Sequence, residues 1–326
     1  MHPLELFLVV LVTTGAASAV YSHPAAAGTP AARFWEEALP GTPMPEAIAD
    51  LIQQGIDHSP LVEHFTSSGH TPVMNINYGY GAYAGSSLMN AAVPPGSFFL
   101  QSQLRVGTAM TVSSESAATV PPILPRDVAQ KVPFSNLADV LAAFHISPSS
   151  AEATTVSDTL SLCGAPPSLA GEQKACTTSL EDTVESATHM LVVGSSVRHG
   201  VVYLWAASSA AAVPPAAHHH QQQYVVQAVT SLDGDRHVGC HAMPFPYAVY
   251  YCHMTGRPSK AYAVLLRSVT GGSSAPVTKA AICHLDTSNW DPAHPAFEML
   301  HTRPGGEPVC HFMSYASLLF GEKAAN

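Results

Sequence analysis

Gly239-Cys240-His241-Ala242-Met243-Pro244-Phe245-Pro246-Tyr247-Ala248-Val249-Tyr250-Tyr251-Cys252-His253 holds two Cys-His dipeptides separated by ten residues. Two more follow: Cys283-His284 after 29 residues and Cys310-His311 after a further 25. One such pair is chance; four in an ordered series are not. Neighbouring side chains on a strand point to opposite faces. Extended Cys-His pairs therefore place thiols on one face, where they can lock a core. The imidazoles fall on the other, where they can line a shared surface.

The cysteines Cys163, Cys176, Cys240, Cys252, Cys283 and Cys310 form an even set. Residues 1–19 read as a secretory signal peptide, with an apolar run from Leu6 to Val12 and the small-residue pattern Ala17-Ser18-Ala19 before Val20. Export favours disulfides over thiolate metal sites. Six thiols allow 15 pairings, and spacing does not choose among them. Cys163 with Cys176 is the simplest pair, because a short loop separates them.

The 326 residues are 47% hydrophobic and only 11% charged, with 27 Pro and 22 Gly, which suits a loop-rich exported protein with an ample core. A formal charge of −10 argues against nucleic-acid binding. The 18 His outnumber the 13 Lys and Arg, so surface charge should depend on pH in a mildly acidic compartment. No run after the signal is long and apolar enough to span a bilayer. A Gly-x-Ser-x-Gly elbow and a Gly-rich phosphate loop are both missing from the sequence.

Residues 20–33, rich in Ala and Pro, read as a flexible leader. A helix is expected from Pro45, with Ile48, Leu51 and Ile52 as its stripe and Gly55 as its stop. Residues 69–97 have a linker composition that marks a domain boundary. Ser135 is expected to cap a helix carrying Leu137, Val140, Leu141 and Phe144. Further helices are expected from Ser149 to Leu162 and from Ser179 to Thr188. Strands are expected at Met190–Val193, Val201–Trp205, Tyr224–Val229, Tyr247–Tyr251, Ala261–Val269, Lys279–His284 and Val309–Tyr315. Ala206–Gln223, with His218-His219-His220, reads as an exposed loop insertion. Helices followed by an antiparallel sheet or sandwich make the expected class α+β.

With their surroundings, the four Cys-His pairs resemble the BURP domain of plant secreted proteins. Phe98-Phe99-Leu100 with Leu104, Gly107 and Met110 resembles the domain's opening segment. Pro125-Arg126 with Val132-Pro133-Phe134-Ser135 is similar to its next block. Lys174-Ala175-Cys176-Thr177-Thr178-Ser179-Leu180-Glu181 is similar to a third. The resemblance implies an organisation of signal peptide 1–19, leader 20–97 with one helix and a Gly/Tyr-rich linker, and BURP domain 98–322. Two departures stand out. The middle gap of 29 is slightly long, which an enlarged loop at Gly271-Gly272-Ser273-Ser274 would absorb. The closing aromatic is Phe320 in place of Trp. Phe34-Trp35-Glu36 to Glu63-His64 resembles the leader of the anther-associated, RAFTIN-like members.

His241, His253, His284 and His311 are the expected metal ligands. Neutral imidazole suits several transition metals, and an all-His set beside oxidised thiols favours copper. The resemblance implies the same, since some members are copper-dependent peptide cyclases that join a Tyr or Trp side chain of a core peptide to a neighbouring carbon. The stretch Asn75–Tyr83, with Tyr78, Tyr80 and Tyr83, is the candidate core here, and tethering would raise its effective concentration. No catalytic residue is assigned. His199, His237 and His294 read as surface or hydrogen-bonded histidines, His237 being nearest a Cys-His pair. The favoured expectation is a non-enzymatic protein secreted to the apoplast, acting in the cell wall, in anther development or in stress responses. Its expected partners are wall polysaccharide or wall protein. The alternative is a copper-dependent cyclase acting on its own or a separate peptide.

Overall fold

The Cys-His pairs lie on two antiparallel sheets that face one another. The computed structural model describes residues 26–57, 96–113, 120–193, 203–210, 221–255, 258–269 and 276–323. The signal segment, the Tyr78–Tyr83 stretch, His199, His218–His220 and the loop at Gly271–Ser274 lie outside these residues. Among the described residues the helices are α1 (Pro30–Ala38), α2 (Glu46–Asp57), α3 (Arg126–Ala129), α4 (Leu137–Ala143), α5 (Ala151–Gly164), α6 (Leu180–Val193) and α7 (Pro295–Met299). The strands are β1 (Phe98–Leu100), β2 (Ala109–Ser113), β3 (Gln173–Thr177), β4 (Leu204–Ala207), β5 (Gln221–Ser231) and β6 (His237–Met243), then β7 (Val249–Met254), β8 (Ser259–Ser268), β9 (Val277–His284), β10 (Val309–Phe312) and β11 (Leu318–Glu322). The class is α+β. A six-stranded sheet runs β1-β10-β9-β8-β5-β2 and a five-stranded sheet runs β3-β7-β6-β11-β4.

Three of the apolar clusters around this frame lie against the faces of the sheets that carry the Cys-His pairs. Between the sheets, Ala261, Ala280 and Ile282 of the larger sheet meet Leu319 of the smaller one. On the far face of the smaller sheet, Trp35, Ile48, Leu180 and Val184 from the helices pack on Val238, Cys240, Cys252 and Phe320. The larger sheet buries Val226, Val264, Cys283 and Cys310 with Phe99 on its other side. The smaller sheet is thus covered twice, and every residue of β7 is buried. A strand covered on both faces shows no alternation of apolar and polar residues. That is why β6, with only Ala242 partly exposed, escaped the sequence reading.

Several elements differ from expectation. Residues 26–33 are not a loose leader: they form a turn and the start of α1, where the Thr29 side chain caps Ala32 N. Trp35 anchors this helix, 1% exposed, and its indole N–H donates to Thr42 O. The leader therefore carries two helices among the described residues. In α2 the stripe Ile48, Leu51 and Ile52 is buried, but Gly55 lies inside the helix rather than ending it. A Cβ there would fall 1.8 Å from Ile123 O, so this glycine permits close approach of a passing chain. Asn136, one residue after Ser135, caps α4. Met190–Val193, expected as a strand, is the last turn of α6. Its buried Met190 and Leu191 continue the helical face of Val184 and Ala187, and that packing overrides the local β preference. Gln221–Gln223 belong to β5, not to a loop insertion, and pair with β2. No described helix is long and apolar enough to cross a membrane.

Candidate metal centre

Cross-strand register builds the site. In the β6–β7 hairpin Cys240 lies opposite Cys252, and His241 and Gly239 lie opposite Tyr251 and His253. The two cysteines share one face and the two histidines the other. Between β9 and β10 the same arrangement recurs: Cys283 lies opposite Cys310, His284 opposite Val309 and His311 opposite Ile282. Both cysteine pairs are disulfides, with Cα–Cα distances of 3.9 and 4.0 Å, and Cys163 bonds Cys176 as the third. No cysteine is free.

The four imidazoles meet between the sheets. Ring centroids are 5.5 Å apart for His241–His253, 5.8 Å for His241–His311 and 5.6 Å for His284–His311. The rings do not line an open surface, as the alternation alone suggested; all four residues are 3–5% exposed. They fall inside because each lies on the sheet face turned toward the other sheet.

Burial decides their charge. Desolvation, with the neighbouring histidines, holds His241 and His284 well below the ordinary imidazole range. Burial likewise lowers His311 to about 4, although a hydrogen bond to Phe312 O favours its charged form. These rings are neutral near pH 7, the form in which imidazole binds metals.

Two residues that the sequence reading passed over complete the site. His253 Nδ1 is hydrogen-bonded with Glu172 Oε1 at 3.1 Å. Burial would push Glu172 up, but the bond from His253 and the Ser168 and Leu169 N–H groups hold it down to about 2. Trp290, in the segment joining β9 to β10, stands edge-on to His284 at 5.1 Å. It also packs on His294 at 4.5 Å, and His294 Nδ1 accepts from Ala296 N at the start of α7. The 25-residue gap thus carries a lid over His284. The 29-residue gap carries β8, whose ladder with β9 runs from Ser259 opposite His284 to Leu266 opposite Val277.

His237 has its own hydrogen bonds and lies near enough to His284 to help lower that ring's pKa. Its Nε2 donates to Asp233 O at 3.1 Å, so Nδ1 accepts from Ser259 Oγ at 2.8 Å. Phe320 is fully buried in β11, opposite Ala206. Among the described residues no three His, Cys, Asp or Glu side chains are placed to hold an ion as they stand. The donor set nevertheless fits a borderline or soft transition metal: four clustered imidazoles, with the cysteine sulfurs behind them tied up in disulfides.

The sequence pattern of the BURP domain matches residues 97–322. BURP domain-containing protein 13 of rice (Oryza sativa subsp. japonica) is 39% identical over 235 residues, 69% of this chain and 52% of its own. BURP domain-containing protein 5 of rice is 34% identical over 286 residues, 86% of this chain and 83% of its own. Protein RAFTIN 1A of wheat (Triticum aestivum) is 39% identical over 230 residues, 69% of this chain and 55% of its own. The chain spans about half the length of rice proteins 13 and 3, at 52% and 48%.

Proposed function

The chain belongs to the BURP domain family of plant proteins, and from that premise we propose that it is an exported, disulfide-locked protein of the apoplast whose four-histidine centre binds copper. The convergence of His241, His253, His284 and His311 from two sheets carries this reading. Four imidazoles gathered in one interior space are costly to retain for packing alone, since each brings polar nitrogens that apolar residues would not. Imidazoles bound to one ion at about 2 Å would have centroids roughly 5 Å apart. Complete pairing of the cysteines supports export, because disulfides persist in oxidising compartments. A role in wall or anther tissue is part of the proposal and rests on the family resemblance read from the sequence.

Copper in this centre would supply one-electron redox chemistry. The protein's own part is to hold neutral nitrogens, exclude water and keep the two sheets together. The alternative, cyclisation of a Tyr-containing peptide, needs a phenol to reach the imidazoles. Their 3–5% exposure favours the binding reading.

Titration of the mature chain, disulfides intact, with Cu(II) tests it. Stoichiometric uptake with nitrogen hyperfine structure in the electron paramagnetic resonance spectrum is expected. Uptake that persists after all four histidines are changed to Ala refutes the ligand assignment. A fluorescent fusion retained inside plasmolysed cells refutes the apoplast. Loss of two hydrogens from the peptide spanning residues 69–97, after incubation with Cu(II) and oxygen, would establish the cyclase instead.

A further inference from the structure

We propose that Glu172 is a positioning residue that selects which ring nitrogen of His253 carries the proton, making Nε2 the nitrogen that His253 offers to an ion. The ion itself rests on the four-histidine reading above; the proton's place rests on hydrogen bonds alone. Glu172 Oε2 accepts from Ser168 N at 2.9 Å, Ser168 Oγ at 3.0 Å and Leu169 N at 3.2 Å. Oε1 faces His253 Nδ1 at 3.1 Å. An ionised carboxylate can only accept, so Nδ1 must carry the hydrogen. In the neutral ring that leaves the lone pair on Nε2.

The carboxylate is built into place. Gly171, at φ +81°, turns the chain into β3. Lys174 lies opposite His253 in the β3–β7 ladder, and Glu172, two residues earlier, falls on the same face. The Cys163–Cys176 disulfide closes the loop that carries Ser168, Leu169 and Glu172. The anion is therefore anchored before any ligand arrives. A carboxylate that orients a ligating histidine in this way commonly strengthens metal binding. His311 reaches the same protonation by another route, donating from Nδ1 to Phe312 O at 3.3 Å.

The isosteric Glu172→Gln variant separates this role from mere packing. Three donors converge on Oε2, so the amide oxygen takes that side and the NH2 group turns toward His253. His253 Nδ1 must then accept, and its proton moves to Nε2. The measurement is 15N–1H correlation of the imidazoles in the full mature protein, free of metal. The wild type should show Nδ1–H at His253 and His311; the variant should switch His253 alone. Cu(II) affinity, measured by competition, should fall by about ten- to a hundredfold. A wild-type His253 protonated at Nε2, or one unchanged in the variant, overturns the proposal. If the wild type takes up no Cu(II), the copper reading fails while the ring-nitrogen spectra still decide this one. If the variant does not fold, the wild-type spectrum decides it.

Discussion

Strands β6 and β7 present His241 and His253 in the same register in which β9 and β10 present His284 and His311, yet the two pairs are held by different chemistry. On the smaller sheet a buried carboxylate grips His253 through a directional bond. On the larger sheet the edge of Trp290 covers His284. A hydrogen bond to an anion settles both where a ring sits and which nitrogen is protonated. An aromatic contact excludes water and settles position but leaves the proton's place open. His253 is thus set by charge and His284 by packing.

The largest break in this symmetry should come from Trp290→Ala. The side chain is buried against His284, His294 and Phe297, and its removal should cost about 3–5 kcal/mol in unfolding free energy by denaturant titration. The loss should fall on the larger sheet's histidines, seen as faster amide exchange in β9 and β10 than in β6 and β7. Equal exchange in all four strands would show that the lid does not belong to one half.

Removing each cross-strand disulfide compares the two ladders directly. The Cys283–Cys310 bond spans 27 residues and the Cys240–Cys252 bond 12. Chain-entropy arguments give about 3.6 kcal/mol for the longer loop and about 2.8 kcal/mol for the shorter. Paired Cys→Ala variants, measured by urea unfolding, should keep that order. The reverse order would mean that the tight β6–β7 hairpin is strained when its bond is absent.

Acid should act on the centre in two windows. His311, lowered in the fold to about 4, takes up its proton in the unfolded chain near 6.5. Between those values the unfolded state binds more protons, so stability falls as pH drops from 6.5 to 4, by up to about 3 kcal/mol. Glu172, at about 2 in the fold against 4.5 outside it, contributes stability above 4.5 that is lost as pH falls toward 2. Urea midpoints from pH 7 to pH 2.5 should show both windows. Glu172→Gln should remove only the lower one.

Much of this centre was legible before any coordinates. Cys240-His241 and its three fellows already state the alternation of faces, and the Ile48, Leu51 and Ile52 stripe already states α2. Cys163 with Cys176 was legible from its short loop, but the pairing of the other four cysteines was not, because register is a property of two strands and spacing describes one. Strand β6 was hidden by double burial, and β3, a mostly half-buried edge strand, by its polar side chains. Met190–Val193 misled because β-branched residues end a helix whose face is set by Leu180 to Ala187. Glu172 and Trp290 gave no warning. A lone carboxylate and a lone indole have no periodicity, and their meaning comes from what folding sets beside them.

The direct opposition of Cys240 with Cys252, and of Cys283 with Cys310, also bears on how the molecule matures. Sliding either ladder by a single position would turn one strand's thiol and imidazole to the wrong sides. The sulfurs could then no longer meet, and the bond would stay open to exchange. Oxidation thus proofreads strand alignment: only chains whose thiols have found their proper mates bring the four rings together, so the histidine cluster is assembled at the same step that makes the fold permanent.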